Sequence, residues 1–152
     1  MNDGAAERVW VLHCIDPRLK KPISLFLQSE GIEEDKALQY PPAGGCQDFA
    51  RPPDDSVLVH FMKQVAIGVK LGASQAILIN HTSCLAYGDI FASPEEERER
   101  LWGDLVATKK RITDAYPALS VRLYLAVIDE TGNVSFETVK VSPRQTVELL
   151  TA

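Results

Sequence analysis

The sequence predicts an α/β fold, with a mainly parallel central sheet flanked by helices and an antiparallel edge strand at the C-terminal end. Three observations predict it. Short apolar runs bounded by loop residues, Val9 to Leu12 and Ala76 to Ile79, suit strands buried on both faces of a parallel sheet. Segments of helical period lie between such runs, as crossover connections require. The alternating series Val121, Leu123, Leu125, Val127 then meets a Thr131-Gly132-Asn133 turn and a last strand from Val134 to Val141, so the chain closes on a hairpin.

At 152 residues the chain is expected to form a single domain, 1–152, with one sizeable core. A net charge of -5 and a pI near 5.2, with basic residues scattered singly or in pairs such as Lys109-Lys110, argue against a nucleic-acid partner. No apolar run approaches the ~20 residues that span a bilayer, and Asp3 and Glu7 stand where a signal core would be apolar. A cytoplasmic protein without a membrane partner is the expectation. In that compartment the three cysteines read as ligands or thiols rather than disulfides.

Taken in order, Met1 to Glu7 is small and polar, a loose end. After the first strand, Pro17 biases Asp16 away from helical backbone and should keep that loop extended. A helix fits Leu19 to Glu30, with Ile23, Phe26 and Leu27 on one face and Gly31 as its stop. Ala37 to Tyr40 reads as a second strand, ended by Pro41-Pro42. Asp54 or Asp55 caps a long helix with an apolar stripe of Leu58, Phe61, Met62, Val65 and Val69. Gly68 inside it costs roughly 1 kcal/mol against alanine, which close packing on the sheet or a partner helix would explain.

The third strand is expected at Gln75 to Asn80, followed by a loop from His81 to Gly88. Ser93-Pro94-Glu95-Glu96 is a helix start with a hydroxyl cap, a proline at the first helical position and a glutamate three residues after the cap. The charged run to Arg100 should face solvent, and Leu101, Leu105, Thr108 and Ile112 should be buried, with Tyr116-Pro117 ending the helix. Pro143 to Leu150 could close the chain as a short helix.

Two loops carry the chemistry. Cys14 follows the first strand, and His81 and Cys84 follow the third, so all three stand at carboxyl ends of strands, the edge where open α/β sheets bind ligands. Two thiolates and an imidazole form a soft donor set that suits Zn²⁺, and three protein ligands leave a fourth tetrahedral position open for water. A lone cysteine at a strand end ordinarily reads as a small buried residue, and an exposed Asp-x-Arg as a local ion pair. Their joint occurrence favours metal. Asp16 is close enough in sequence to approach that metal, and Arg18 can hold its carboxylate bidentately. Gly44 and Gly45 allow either an ordinary tight turn or close backbone approach to a ligand. His13 should point away from Cys14 and be packed or hydrogen-bonded. His60, mid-helix, reads as structural with proton shuttling as the alternative. Cys46 reads as a structural thiol, with a redox or second-metal contact as the alternative.

C-x-D-x-R after the first strand, Ala43-Gly44-Gly45 in the next loop, and H-x-x-C after the Leu71-Gly72 helix end resemble the β-class carbonic anhydrases in order and spacing. The resemblance runs from about Val9 to Val139 and includes Val127-Ile128-Asp129 with Thr131-Gly132 in the last hairpin. It implies zinc-dependent reversible hydration of carbon dioxide to bicarbonate by a zinc-bound hydroxide, with Cys14, His81 and Cys84 as metal ligands. It implies that Arg18 holds Asp16 off the metal and orients it, the two acting as catalytic residues, and that Ala43, Gly44 and Gly45 line the substrate pocket. A homodimer or larger even-numbered assembly is implied too, with the helix around Phe61, Met62 and Val65 as a surface for the neighbouring chain. Met1 to Glu7 is shorter than the family's N-terminal clasping arm, so pairing should rely on the sheet edge and helices.

The chain departs from the family at Asn80 and Leu85, where glycines are usual, at Pro17 between the dyad residues, and at Ala66, near the usual tyrosine. The family's upstream glutamine has no counterpart. A carbon disulfide or carbonyl sulfide hydrolase on the same scaffold therefore stands as an alternative, as does a non-catalytic zinc-binding or redox-sensing relative. A cysteine nucleophile is the weakest option, because H-x-x-C beside a second cysteine favours ligation.

Overall fold

The computed structural model describes residues 7–140. The expected helix at Pro143 to Leu150 lies outside them. Five strands form one sheet in the order β2-β1-β3-β4-β5: β1 (Arg8–Leu12), β2 (Ala37–Tyr40), β3 (Ala73–His81), β4 (Ser120–Ile128) and β5 (Val134–Val139). All neighbouring pairs are parallel except β4 with β5, the hairpin closed by the Asp129 to Asn133 turn. The predicted fold class is the observed one.

Among the described residues four α-helices flank the sheet: α1 (Lys20–Ser29), α2 (Gln47–Ala50), α3 (Asp55–Lys70) and α4 (Pro94–Ala115). Register assigns their sides. Trp10 pairs with Ala76 and Ile79 pairs with Tyr124, so Trp10 and Tyr124 point to opposite faces by the two-residue period. On the Tyr124 face sits α1, whose Phe26 ring lies 4.8 Å from Tyr124 and 4.3 Å from Phe136 of β5. On the Trp10 face sit α2 and α3, where the Phe49 and Phe61 rings lie tilted with centroids 4.1 Å apart and Phe49 meets Trp10 edge-on at 6.2 Å. Each such aromatic burial is worth about 1.5–3 kcal/mol, so this cluster anchors the layer.

Gly68 explains itself here. A Cβ on it would stand 2.6 Å from Cδ1 of Trp10, so α3 lies against the sheet at a distance only glycine allows. Asp54 caps α3 by accepting from the Val57 N–H, and Ser93 caps α4 by accepting from the Glu96 N–H.

Several expectations need correction. Phe61 and Val65 are buried against the sheet, so that side of α3 is core and offers no surface to a second chain. Leu58, Met62 and Val69 of the same stripe are only half-buried. The charged start of α4 is not uniformly solvated: Glu97 and Arg100 are half-buried, and Arg98 pairs with Glu137 of β5. The loop after Gly45 holds the short helix α2, which its four residues are too few to announce by period. Among the described residues no helix is long and apolar enough to cross a membrane.

Candidate metal centre

Adjacent parallel strands bring the two chemical loops together. Leu12 pairs with Leu78, so the residues just past β1 and the residues at the end of β3 leave the sheet side by side at its carboxyl edge. Cys14 and Cys84, 70 positions apart in sequence, stand with their sulfurs 3.9 Å from each other. The ligand atoms of Cys14, His81 and Cys84 all lie within 4.8 Å of one another, and all three residues are buried.

The donor set fits zinc. Two sulfurs each ~2.3 Å from a tetrahedral ion stand about 3.8 Å apart, the spacing found here. The imidazole is the sharper test. His81 Nδ1 lies 2.7 Å from the Thr82 carbonyl oxygen, which can only accept, so Nδ1 carries the proton. Nε2 then presents a lone pair, and this buried atom has no hydrogen-bond partner. A buried, unsatisfied acceptor costs about 1–3 kcal/mol, which a metal ion would offset.

The hydrogen bond from Cys84 pulls the Cys14 thiol well below its ordinary value, and the same contact together with burial pushes Cys84 up, so of the two sulfurs Cys14 is the one that favours the thiolate. The Gly44 N–H also donates to Cys14 Sγ at 3.3 Å. Gly44 and Gly45 adopt φ of +86° and +58°, where a side chain on Gly45 would stand 2.9 Å from Asn80 Oδ1. The glycine pair is therefore both a tight turn and a backbone approach to the sulfur. Ala43 beside it is exposed.

Asp16 stands at the edge of the cluster, with Oδ2 3.8 Å from His81 Nε2. Arg18 grips the carboxylate through Nε at 3.1 Å to Oδ1 and Nη2 at 2.8 Å to Oδ2, and its backbone N–H adds a bond at 2.9 Å. The Arg18 hydrogen bonds hold the Asp16 carboxyl at about 2, below its ordinary value. The same Nη2 also donates to the Ser83 carbonyl at 2.9 Å, so one guanidinium ties the first ligand loop to the second.

Further residues complete the support, among them Asn80 and Leu85, which the sequence marks only as departures from the family pattern, and Asp104 and Ser83, which are not singled out there. Asn80 is fully buried, accepting from the Cys46 N–H at 3.0 Å and donating to the Leu101 carbonyl at 2.9 Å. It welds the glycine loop to β3 and α4. Asp104 of α4, also buried, accepts from Tyr87 Oη at 2.6 Å and from Arg51 Nε at 2.9 Å, fixing the segments that follow Cys84 and α2. Its signal was present, since an acid falls on the buried stripe of Leu101, Leu105 and Thr108. Ser83 takes φ +59°, a strain on the order of 1–3 kcal/mol for a residue with a side chain. Leu85 is 91% exposed and lines a cleft of about 570 Å³ with Cys84, Phe91 and Glu97.

His13 is buried and hydrogen-bonded to Gln39 at 2.8 Å and to the Cys14 carbonyl at 2.9 Å. His60 lies exposed on α3. Cys46 has no surface, and burial pushes its thiol up, as suits a structural group.

Two solved structures share this arrangement of strands and helices. The β-carbonic anhydrase CafD of the filamentous fungus Aspergillus fumigatus superposes with a TM-score of 0.56 at 12% identity, covering 88% of this chain and 90% of that one. The β-carbonic anhydrase CafA of the same fungus gives 0.51 at 11% identity, covering 96% and 82%. The fold is that of the β-carbonic anhydrases. No protein-family model and no curated protein matches the sequence. On this β-carbonic anhydrase fold, then, the likeness is one of backbone arrangement, and the Cys14, His81 and Cys84 cluster is an observation of this chain's own side chains.

Proposed function

We propose that Cys14, His81 and Cys84 hold Zn²⁺ and that the protein catalyses the reversible hydration of carbon dioxide to bicarbonate. The carrying observation is the buried, unpartnered Nε2 of His81 beside two sulfurs at tetrahedral spacing. Zinc in this position supplies a Lewis acid that lowers the pKa of water toward neutrality. The chain's own residues do the rest. Asp16, ionised and fixed by Arg18, accepts a hydrogen bond at Oδ2 and orients water there. Arg18, whose charge is permanent, keeps that carboxylate off the metal. The Gly44 N–H steadies the negative charge on Cys14, and Ala43, Gly44 and Gly45 form one wall of the substrate pocket.

The reading extends to the whole chain as a single domain and to a homodimer or larger even-numbered assembly. Ile15, Leu85 and Ile90 expose apolar surface on the ligand loops or just beyond them, which supports pairing at that edge. The test is stopped-flow hydration of carbon dioxide by protein of measured zinc content, with carbonyl sulfide and carbon disulfide in parallel. About one zinc per chain and rapid hydration are expected. Turnover of a sulfur-containing substrate alone would assign the hydrolase chemistry instead, and bound zinc without any turnover would leave a binding protein.

A further inference from the structure

We infer that Glu97, in the first turn of α4, is a positioning residue for the Arg18–Asp16 pair, acting through the backbone of Ser83. The inference rests on the proposed metal centre. Ser83 is the only residue other than glycine with positive φ among the described residues, and both sides of its backbone are engaged. Its N–H donates to Glu97 Oε2 at 2.9 Å, and its carbonyl accepts from Arg18 Nη2 at 2.9 Å. The left-handed conformation aims that carbonyl at the guanidinium, and Glu97 is the group that holds it there.

The helix start is built to keep Glu97 in place. Ser93 caps the first turn, and Glu96 takes the Ala92 N–H at 2.8 Å, so the capping duty falls on Glu96 and leaves Glu97 for Ser83. Arg98 pairs with Glu137, which anchors the same turn to the edge strand. A carboxylate accepting from a backbone N–H makes a charge-assisted bond, strong enough to hold a disfavoured backbone conformation. Remove it, and Ser83 relaxes toward negative φ, its carbonyl leaves Nη2, and Arg18 loses one of the two contacts that set its orientation. A guanidinium set by Asp16 alone can swing with it, so the carboxylate, 3.8 Å from His81 Nε2, can move with Arg18 toward the open metal position. Glu97 touches neither Arg18 nor Asp16 by any of these bonds, yet its loss should look like the loss of Arg18.

The test uses four proteins: wild type, Glu97→Ala, Glu97→Gln and the double variant Glu97→Ala/Ser83→Gly. Glutamine keeps an acceptor oxygen, and glycine adopts positive φ without help. Each is loaded with Co²⁺ and titrated with azide, following the visible spectrum, alongside hydration kinetics and thermal unfolding. Glu97→Ala is expected to keep its metal, to bind azide about tenfold more weakly and to lose about tenfold in kcat. Glu97→Gln should recover most of that loss, and so should the double variant. In metal-free protein, the Ser83 amide proton should resonate upfield in Glu97→Ala relative to wild type.

A double variant as closed to azide as Glu97→Ala would overturn the inference, as would an unmoved Ser83 amide proton. Loss of thermal stability with azide affinity intact would make Glu97 merely structural, which also overturns it. If metal-loaded wild type turns over none of the three substrates, the proposed activity fails while the azide and amide measurements still decide Glu97. A wild type that takes up no metal overturns both.

Discussion

Arg18 serves two loops with one planar group: Nε and Nη2 hold Asp16, and Nη2 also reaches the Ser83 carbonyl. Lysine could not copy that fork. Substitution by alanine leaves Cys14, His81 and Cys84 intact and strips the guanidinium from a carboxylate 3.8 Å from His81 Nε2, leaving it only the backbone N–H bond at Oδ1. Metal content of Arg18→Ala should therefore stay near wild type while hydration falls at least about tenfold and azide no longer reaches the metal. Asp16→Asn loses the orienting carboxylate, so hydration should also fall, but the open position remains and azide should bind. Equal azide affinity in the two variants would sink the account. The pH dependence has a fixed sign. Asp16 is held at about 2 against an ordinary 3.8, so its pairing stabilises the native state above the ordinary value and is lost as pH falls through about 2. Acid unfolding followed by circular dichroism should accordingly show a shallower loss of stability between these values in Asp16→Asn than in wild type.

At the scale of elements, α3 shows where local preference and packing disagree. Gly68→Ala would gain about 1 kcal/mol of helix propensity, yet its Cβ would stand 2.6 Å from a buried indole. Forcing a methyl into such a contact costs about 1–3 kcal/mol or more, so the net effect should be destabilising, read as a lower urea midpoint at unchanged slope. A stabilised variant would mean that Trp10 can swing aside. Ser93→Ala should cost about 1 kcal/mol through the lost cap of α4. Strands and long helices were legible because their signals are local: the apolar run of β1, the cap and stripe of α4, the turn before β5. What stayed hidden depends on the far side of a contact. Nothing at Asn80 announces its bonds to Cys46 and Leu101, and the half-burial of Glu97 follows from a loop 14 positions away. The apolar face of Phe61 and Val65 looked equally fit for a partner chain or for the sheet, and only the position of Trp10 decides between them.

For the whole molecule, the motif spacing displayed the three candidate ligands, but their meeting depends on strand order, which spacing does not encode. Because β1 and β3 are neighbours, Cys14 reaches Cys84, and a metal ion there would bridge two loops that only the folded chain brings together. Binding to the native state but not to the unfolded chain raises stability by mass action, about 4 kcal/mol when free zinc exceeds its dissociation constant a thousandfold. For a domain of this size each kcal/mol moves the midpoint by about 2–4 °C, so zinc should raise the unfolding temperature by about 8–16 °C. Chelation should return it to the metal-free value. Cys84→Ser supplies the control, since it removes one sulfur from the shared site while the rest of the fold keeps its contacts. Its unfolding temperature should be insensitive to zinc or nearly so. Equal zinc-induced shifts in wild type and Cys84→Ser, measured by calorimetry, would place the metal elsewhere and remove the basis for the proposed chemistry.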